Sequence, residues 1–334
     1  MELLRIIAMF LILTVHSDYY SLGAPTREDF IGNPLSSATR VAIESISLIC
    51  VNLFVFISGW FGITLRRHKI ADLLFQIAYF YFGIYIIALC SGKASVDIQS
   101  IKLLLLLTKH NWFIPAYLLL CILAPILNAF IESADKNRFR TVLIGFFAIQ
   151  TWCGWLAESD TFRGGYSTIS FIGIYLLVRY IRKYQLHSDI STIKSFVIFI
   201  CSIAVNTILG VATTYTNHAE WLYMAYINPL TIIATVSFAM IFVNQKFQSK
   251  AVNFIAQSAF AVFLLHSNFN IVGYFRDINI YIFDKYNGIA VIALIFMVCC
   301  LWFAAAVILD QPRKWLWQHF KHLNATKTLL KTYN

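Results

Sequence analysis

The sequence predicts an all-α polytopic membrane protein of about ten transmembrane helices, with both termini cytoplasmic. Three observations lead there. Of 334 residues, 59% are hydrophobic and only 13% are charged, about half the charged share of an ordinary soluble domain. Apolar stretches of about 20 residues, each long enough to cross a hydrocarbon core, recur along the chain. The basic residues also cluster in alternate connecting segments. A cytosolic enzyme, a disordered chain and a nucleic-acid-binding module are excluded by this composition. In lipid the spans must be helical, because an open strand edge leaves its backbone groups unsatisfied.

Taken in order, the first stretch, 3–23, starts beside Arg5 and reads as an uncleaved helix, since Val15–His16–Ser17–Asp18 offers no small-residue cleavage site. The second, 40–65, runs from Arg40 to the basic cluster Arg66–Arg67–His68–Lys69. The others are 70–91, 111–131, 141–157, 166–182, 191–214, 223–244, 251–275 and 288–309. The segment 98–108 is apolar but short, so a re-entrant or interfacial helix is expected there. No linker or repeat divides the chain. Residues 1–311 read as one transmembrane domain, and 312–334 as a basic, aromatic cytoplasmic tail whose Trp315–Leu316–Trp317 run suits an interfacial helix.

Charge orients the bundle. Segments holding Arg5, the 66–69 cluster, Lys136/Arg138/Arg140, Arg179/Arg182/Lys183, Lys194, Lys246/Lys250 and the tail carry 18 of the 26 Lys and Arg. The positive-inside rule makes that side cytoplasmic. The net charge of +10 is therefore topology plus attraction to anionic lipid headgroups, and needs no nucleic acid. The seven cysteines lie within or beside spans without CxxC spacing, so they read as buried apolar residues. No metal-ligand spacing, P-loop or nucleophile elbow is present.

Ionisable groups at membrane depth default to functional hypotheses. Arg5 and His16, eleven residues apart, return to within about 20° of one helix face, about 16 Å apart along the axis. One face then offers a cation near the cytoplasm and an imidazole deep in the outer half. That suits a long ligand with an anionic head and a reactive end, such as acyl-coenzyme A, with His16 as general base or acyl carrier. A topology anchor at Arg5 and a polar interhelical contact at His16 would account for the same spacing. Glu44, the one carboxylate inside a span, has three readings: orienting His16 as the acid of a His–carboxylate pair, binding acceptor hydroxyls, or pairing with Arg40 one turn away. Asp18 falls on a different helix face from His16. Asn111 and Trp112 open the fourth span beside His110, where an amide and a ring would suit a sugar or a membrane anchor. His266 reads as a second catalytic or acceptor-binding group, or as a hydrogen-bonded structural histidine.

These residues resemble a known family. The run from Leu3 to His16, with ten residues between Arg and His, is similar to the first helix of the acyltransferase family 3 membrane proteins. Val51 to Phe61, ending in Ser58–Gly59–Trp60–Phe61, resembles the family's second helix. Asn111–Trp112–Phe113 followed by Ala124–Pro125–Ile126–Leu127, and Phe260 to Leu265–His266, resemble two later motifs, in the family's order. The resemblance implies transfer of an acyl group, usually acetyl, from cytoplasmic acetyl-CoA to a hydroxyl of a surface or undecaprenyl-linked polysaccharide, such as an O-antigen or exopolysaccharide. It implies His16 and Glu44 as catalytic groups, Arg5, Arg66, Arg67 and Lys69 as holders of the donor phosphates, and Asn111, Trp112 and His266 at the acceptor. Lys69 stands where the family often has Arg, keeping charge without bidentate geometry. No metal is implied. The setting it implies is a bacterial inner membrane, with a homo-oligomer or an envelope-biosynthesis partner as further expectations. The competing classes are a transporter or flippase, and a polymerase for lipid-linked glycans. The first usually shows paired broken helices, and the second a large external loop, whereas the longest external loop here is 24–39.

Overall fold

The computed structural model describes residues 1–332 except 189, 244 and 246, with side chains as far as Lys321. The contributions of Asp189 and Lys246 to the charge pattern, and the tail side chains from 322 onward, lie outside the described residues. All regular structure among the described residues is helical. The first helix, α1 (Glu2–Ser17), is followed by one turn, α2 (Tyr19–Leu22), and a surface helix, α3 (Arg27–Gly32). Then come α4 (Pro34–Ser47) and α5 (Cys50–Phe61). Asn33 caps α4 through the Ser36 N–H, and Pro34 occupies its first turn, a position that needs no donor. Leu48 and Ile49 keep helical dihedrals, so Pro34–Phe61 acts as one apolar rod.

The chain continues through α6 (Arg67–Cys90), α7 (Ile98–Leu104), α8 (Phe113–Ser133), α9 (Lys136–Ile149) and a π-helical turn (Gln150–Leu156). After these come α10 (Thr168–Lys183), α11 (Thr192–Thr216), α12 (Trp221–Met224), α13 (Pro229–Val243), α14 (Lys250–Ala256), α15 (Ala259–His266), α16 (Val272–Lys285) and α17 (Ile289–Thr332).

Among the described residues, seven helices are long and apolar enough to cross a membrane: Glu2–Leu22, Pro34–Phe61, Arg67–Cys90, Phe113–Ser133, Thr192–Thr216, Trp221–Val243 and Ile289–Lys321. The other three expected spans are also helical but fall short of that standard. The fifth is α9 with the π turn, whose start is polar. The sixth, α10, has 16 residues. The ninth is broken at Gln257–Ser258 between α14 and α15. The short segment expected near 98–108 is α7, which buries none of its residues in the protein.

The rod Pro34–Phe61 lies at the centre, with 72% of its apolar window buried against other helices. α1 packs on α4 and α5 on one side and on α14, α15 and α17 on the other, while α5 also meets α10 and α13. α1 is thus enclosed by the elements that carry Glu44 (α4) and His266 (α15). α17 passes 311–312 without a break. Its Asp310 and Arg313 are buried, and Asp310 accepts from Gln76, Ser258 and Arg313 while Arg313 also reaches Asp72 at 2.9 Å. Lys314 adds a hydrogen bond to Ser258 at 2.8 Å. Phe75 of α6 stacks on Trp317, ring centroids 4.9 Å apart. The residues expected to begin a surface tail instead clamp α17 to α6 and to the α14–α15 break.

Candidate active site

α1 ends one residue after His16. Its buried positions Leu4, Ala8, Met9, Ile12, Leu13 and Ser17 recur at helical spacing and seat it in the core. Beyond Ser17 the chain leaves the helix at Asp18 (φ −106°, ψ −84°), and Ser21 Oγ donates to the freed His16 carbonyl at 2.6 Å. The turn is held by Arg40, which bridges the Asp18 carboxylate (Nε to Oδ1 2.8 Å) and the Gly23 carbonyl. Arg40 therefore binds Asp18, and the expected alternative of an Arg40–Glu44 pair is not what the structure shows.

His16 Nδ1 lies 2.8 Å from Nε2 of His266, a residue 250 positions away at the last turn of α15. His266 is fully buried, and its Nδ1 lies 2.7 Å from the carbonyl of Val262 one turn back. A carbonyl only accepts, so His266 donates from Nδ1. A neutral His266 then has a bare Nε2, which accepts the Nδ1–H of His16. The reverse assignment would bury a doubly protonated imidazole among apolar helices, at the cost that charge carries there. This chain of two hydrogen bonds, anchored on the Val262 carbonyl, thus fixes His16 in the tautomer whose Nε2 is unprotonated. That nitrogen belongs to a half-buried ring at the wall of a cavity.

The cavity has a volume of about 370 Å³. Beside His16 it is walled by Glu44, Trp112, Tyr166, Tyr226 and Ser267. Glu44 is buried and has no side-chain hydrogen bond among the described residues. The reading of Glu44 as the group that orients His16 is corrected, since His266 holds that position. Glu44 is left to face the cavity. The same cavity has an aromatic wall: Trp112 meets Tyr166 at 4.6 Å between ring centroids, and Tyr166 meets Tyr226 at 5.0 Å. Asn52 fixes that wall by donating to the Tyr226 carbonyl at 2.8 Å. Gly165, at φ +105°, allows the turn before Tyr166 to press on Tyr226, where a Cβ would come within 2.5 Å. His110 Nε2 lies 2.8 Å from the carbonyl of Ser267, next to His266, and so donates to it.

The basic residues stand elsewhere. Arg5 pairs with Glu2 at 2.7 Å, and Arg66, Arg67 and Lys69 are exposed around the start of α6. None of the four lines the cavity. Helix geometry sets the Arg5 end about 16 Å from His16 along α1. Of the candidate site residues, the structure brings His16, Glu44 and Trp112 to one cavity, with His266 directly behind His16. It does not bring Asn111, whose amide is spent on Tyr81 (2.5 Å) and the Leu103 carbonyl (3.2 Å) and is buried. Sequence reasoning missed Tyr166, Tyr226 and the contact of His110 with Ser267. The tyrosines sit in a chain with 17 of them, and nothing local distinguishes these two.

A cavity with a base of fixed tautomer, an unpaired carboxylate and an aromatic wall can deprotonate a hydroxyl of a polar ring compound stacked against it. A family model described as an acyltransferase domain matches residues 1–309. No curated protein and no solved structure matches the chain.

Proposed function

This chain belongs to the acyltransferase family, acyltransferase family 3, and from that premise we propose that it is an integral-membrane O-acetyltransferase. The donor is acetyl-CoA, which arrives from the cytoplasm, and the acceptor is a hydroxyl of a surface or undecaprenyl-linked polysaccharide in a bacterial inner membrane. Both termini then face the cytoplasm. The observation that carries this reading is the His16–His266–Val262 chain, which leaves His16 Nε2 free at the cavity wall, at the opposite end of α1 from Arg5.

The chemistry follows from that placement. The acceptor ring lies against Trp112 and Tyr166, where an apolar sugar face meets an aromatic one. Glu44 accepts hydrogen bonds from neighbouring hydroxyls of the acceptor. His16 Nε2 takes the proton of the attacking hydroxyl as its oxygen bonds to the thioester carbonyl carbon. The carbon–sulfur bond then breaks, and the coenzyme A thiolate receives that proton. Charge develops on His16 only in the transition state, and its Nδ1–H bond to His266 strengthens at that moment. Arg5, Arg66, Arg67 and Lys69 hold the donor phosphates at the other end.

The test is mass spectrometry of envelope glycans from a deletion strain complemented with wild type or His16→Ala. Loss of O-acetyl groups in the variant at normal protein level is expected. Unchanged acetylation would remove His16 from the mechanism. Acetyl-CoA is also expected to raise the melting temperature of the purified wild type.

A further inference from the structure

At the Arg5 end of the bundle, several cations stand without a carboxylate. Elsewhere the buried or half-buried arginines are neutralised: Arg40 by Asp18, and Arg313 by Asp72 and Asp310. Arg179 and Arg182 on α10 have no ion pair among the described residues. Arg179 lies half-buried beneath the turn that ends α5. Gly62 there has φ +78°, a conformation that favours glycine, and a Cβ on it would stand 3.0 Å from Arg179 Nη1, so the guanidinium lies close against the turn. The Nε of Arg179 is buried without a hydrogen-bond partner among the described residues. Arg182 covers the Trp60 ring at 5.4 Å, and His187 meets the same indole edge-on at 5.1 Å with its own Nδ1 buried and unpartnered.

The turn is held in shape by groups that serve no other purpose. Ile63 N–H donates to the Tyr175 hydroxyl (3.1 Å), that hydroxyl donates to Asn128 Oδ1 (2.7 Å), and Asn128 Nδ2 donates to the Ile63 carbonyl (2.9 Å). Arg66 and Lys69 emerge at its far end. A buried guanidinium or imidazole nitrogen without a partner costs free energy, and such groups are rare unless something completes them. Attraction to the C-terminal dipole of α10 explains the position of Arg182 and Lys183, but it gives Arg179 Nε no acceptor. The shared demand is for a phosphate: several oxyanions and no proton to give.

We infer that Arg179, Arg182 and His187, with Arg66 and Lys69 at the end of the same turn, form a phosphate-binding site that holds the nucleotide phosphates of the acyl-CoA donor. This rests on the donor reading above. It assigns α10 a donor-binding role that the motifs in α1 and at the start of α6 do not contain.

The test uses the full chain in phosphatidylcholine nanodiscs, with coenzyme A binding measured by calorimetry. Arg179→Gln and Arg182→Gln are each expected to weaken binding about tenfold or more, the scale of one lost charge-assisted hydrogen bond. Arg179→Lys should lose less, and Lys194→Gln, an exposed cation in the segment after α10, should lose nothing. Melting temperatures confirm that each variant is folded. If the wild type fails to bind coenzyme A, the donor reading itself falls. If the wild type binds and both Gln variants bind equally well, the inference alone is overturned. Unchanged coenzyme A affinity with weakened retention of phosphatidylglycerol would assign the site to lipid and overturn it too.

Discussion

Replacing His266 by alanine isolates what the histidine pair does. In the wild type, His16 Nδ1–H donates to His266 Nε2 at 2.8 Å and His266 Nδ1–H donates to the Val262 carbonyl at 2.7 Å. The alanine variant removes the acceptor for His16 and leaves its Nδ1–H in an apolar wall. The ground state loses an ordinary neutral hydrogen bond. The transition state, in which His16 is an imidazolium, loses a charge-assisted one, worth about 1.5–3 kcal/mol. The difference, about 1–1.5 kcal/mol, falls on kcat as a loss of about 5- to 10-fold, because 1.36 kcal/mol is a factor of ten. Donor and acceptor KM values should stay within about twofold, since His266 touches neither cavity nor basic end. His266→Gln supplies a carbonyl oxygen as acceptor and should recover part of the rate. The assay is acetyl transfer from radiolabelled acetyl-CoA to isolated lipid-linked glycan, alongside melting temperatures. A His266→Ala enzyme with wild-type kcat, or one altered only in KM, would refute the relay.

Two further outcomes follow from the same structure. Asp310→Ala leaves Arg313 buried beside a single, partly exposed Asp72 and removes the acceptor of Gln76 and Ser258. A loss of about 3–5 kcal/mol is expected, read as a fall of about 10 °C in the melting temperature in detergent, whereas a joint Asp310→Leu/Arg313→Met change should recover most of it. An unchanged melting temperature for Asp310→Ala would show that the network is not a clamp. Glu44→Gln removes a buried carboxylate that has no side-chain hydrogen bond among the described residues, so it should keep or raise the melting temperature by a few degrees while raising acceptor KM about tenfold and leaving donor KM alone. A stability loss with unchanged acceptor KM would make Glu44 a structural residue.

How much of this was legible in the sequence depends on the range of the interactions. The helical membrane architecture and the placement of Arg5 and His16 at opposite ends of α1 follow from composition and from eleven steps of helical geometry. Both are local properties of the chain. The starts of α4, α9 and α11 are set locally by the N-caps Asn33, Asp135 and Ser191, although apolar runs alone begin the first two spans inside the helices, at 40 and 141. What escaped is long-range. His266 and His16 were both visible as candidates, but their pairing across 250 residues was not. Tyr166 and Tyr226 reach the cavity only because Gly165 lets two distant turns meet. Arg313 and Lys314 read as tail charges because periodicity reports amphipathic faces, and a carboxylate at the end of a span gives no sign of which basic groups it will bury. The same limit made Asn111 look like a sugar ligand, when its amide is needed to tie α6 and α7 together.

The histidine pair also explains why a carboxylate does not stand behind His16. In a water-soluble hydrolytic triad a buried carboxylate orients the imidazole and balances the imidazolium. Within a bundle bounded by lipid, a second permanent charge beside the catalytic base would have to be desolvated in every resting protein, at a cost that a transient imidazolium repays only during turnover. A neutral histidine avoids that resting cost and still presents one lone pair. Its orientation must then come from something other than charge, and the Val262 carbonyl supplies it. Val262 lies one turn before His266, and its carbonyl, which has two lone pairs, accepts the His266 Nδ1–H beside the helix's own backbone bond, so a donor that the helix itself positions sets the tautomer of His16.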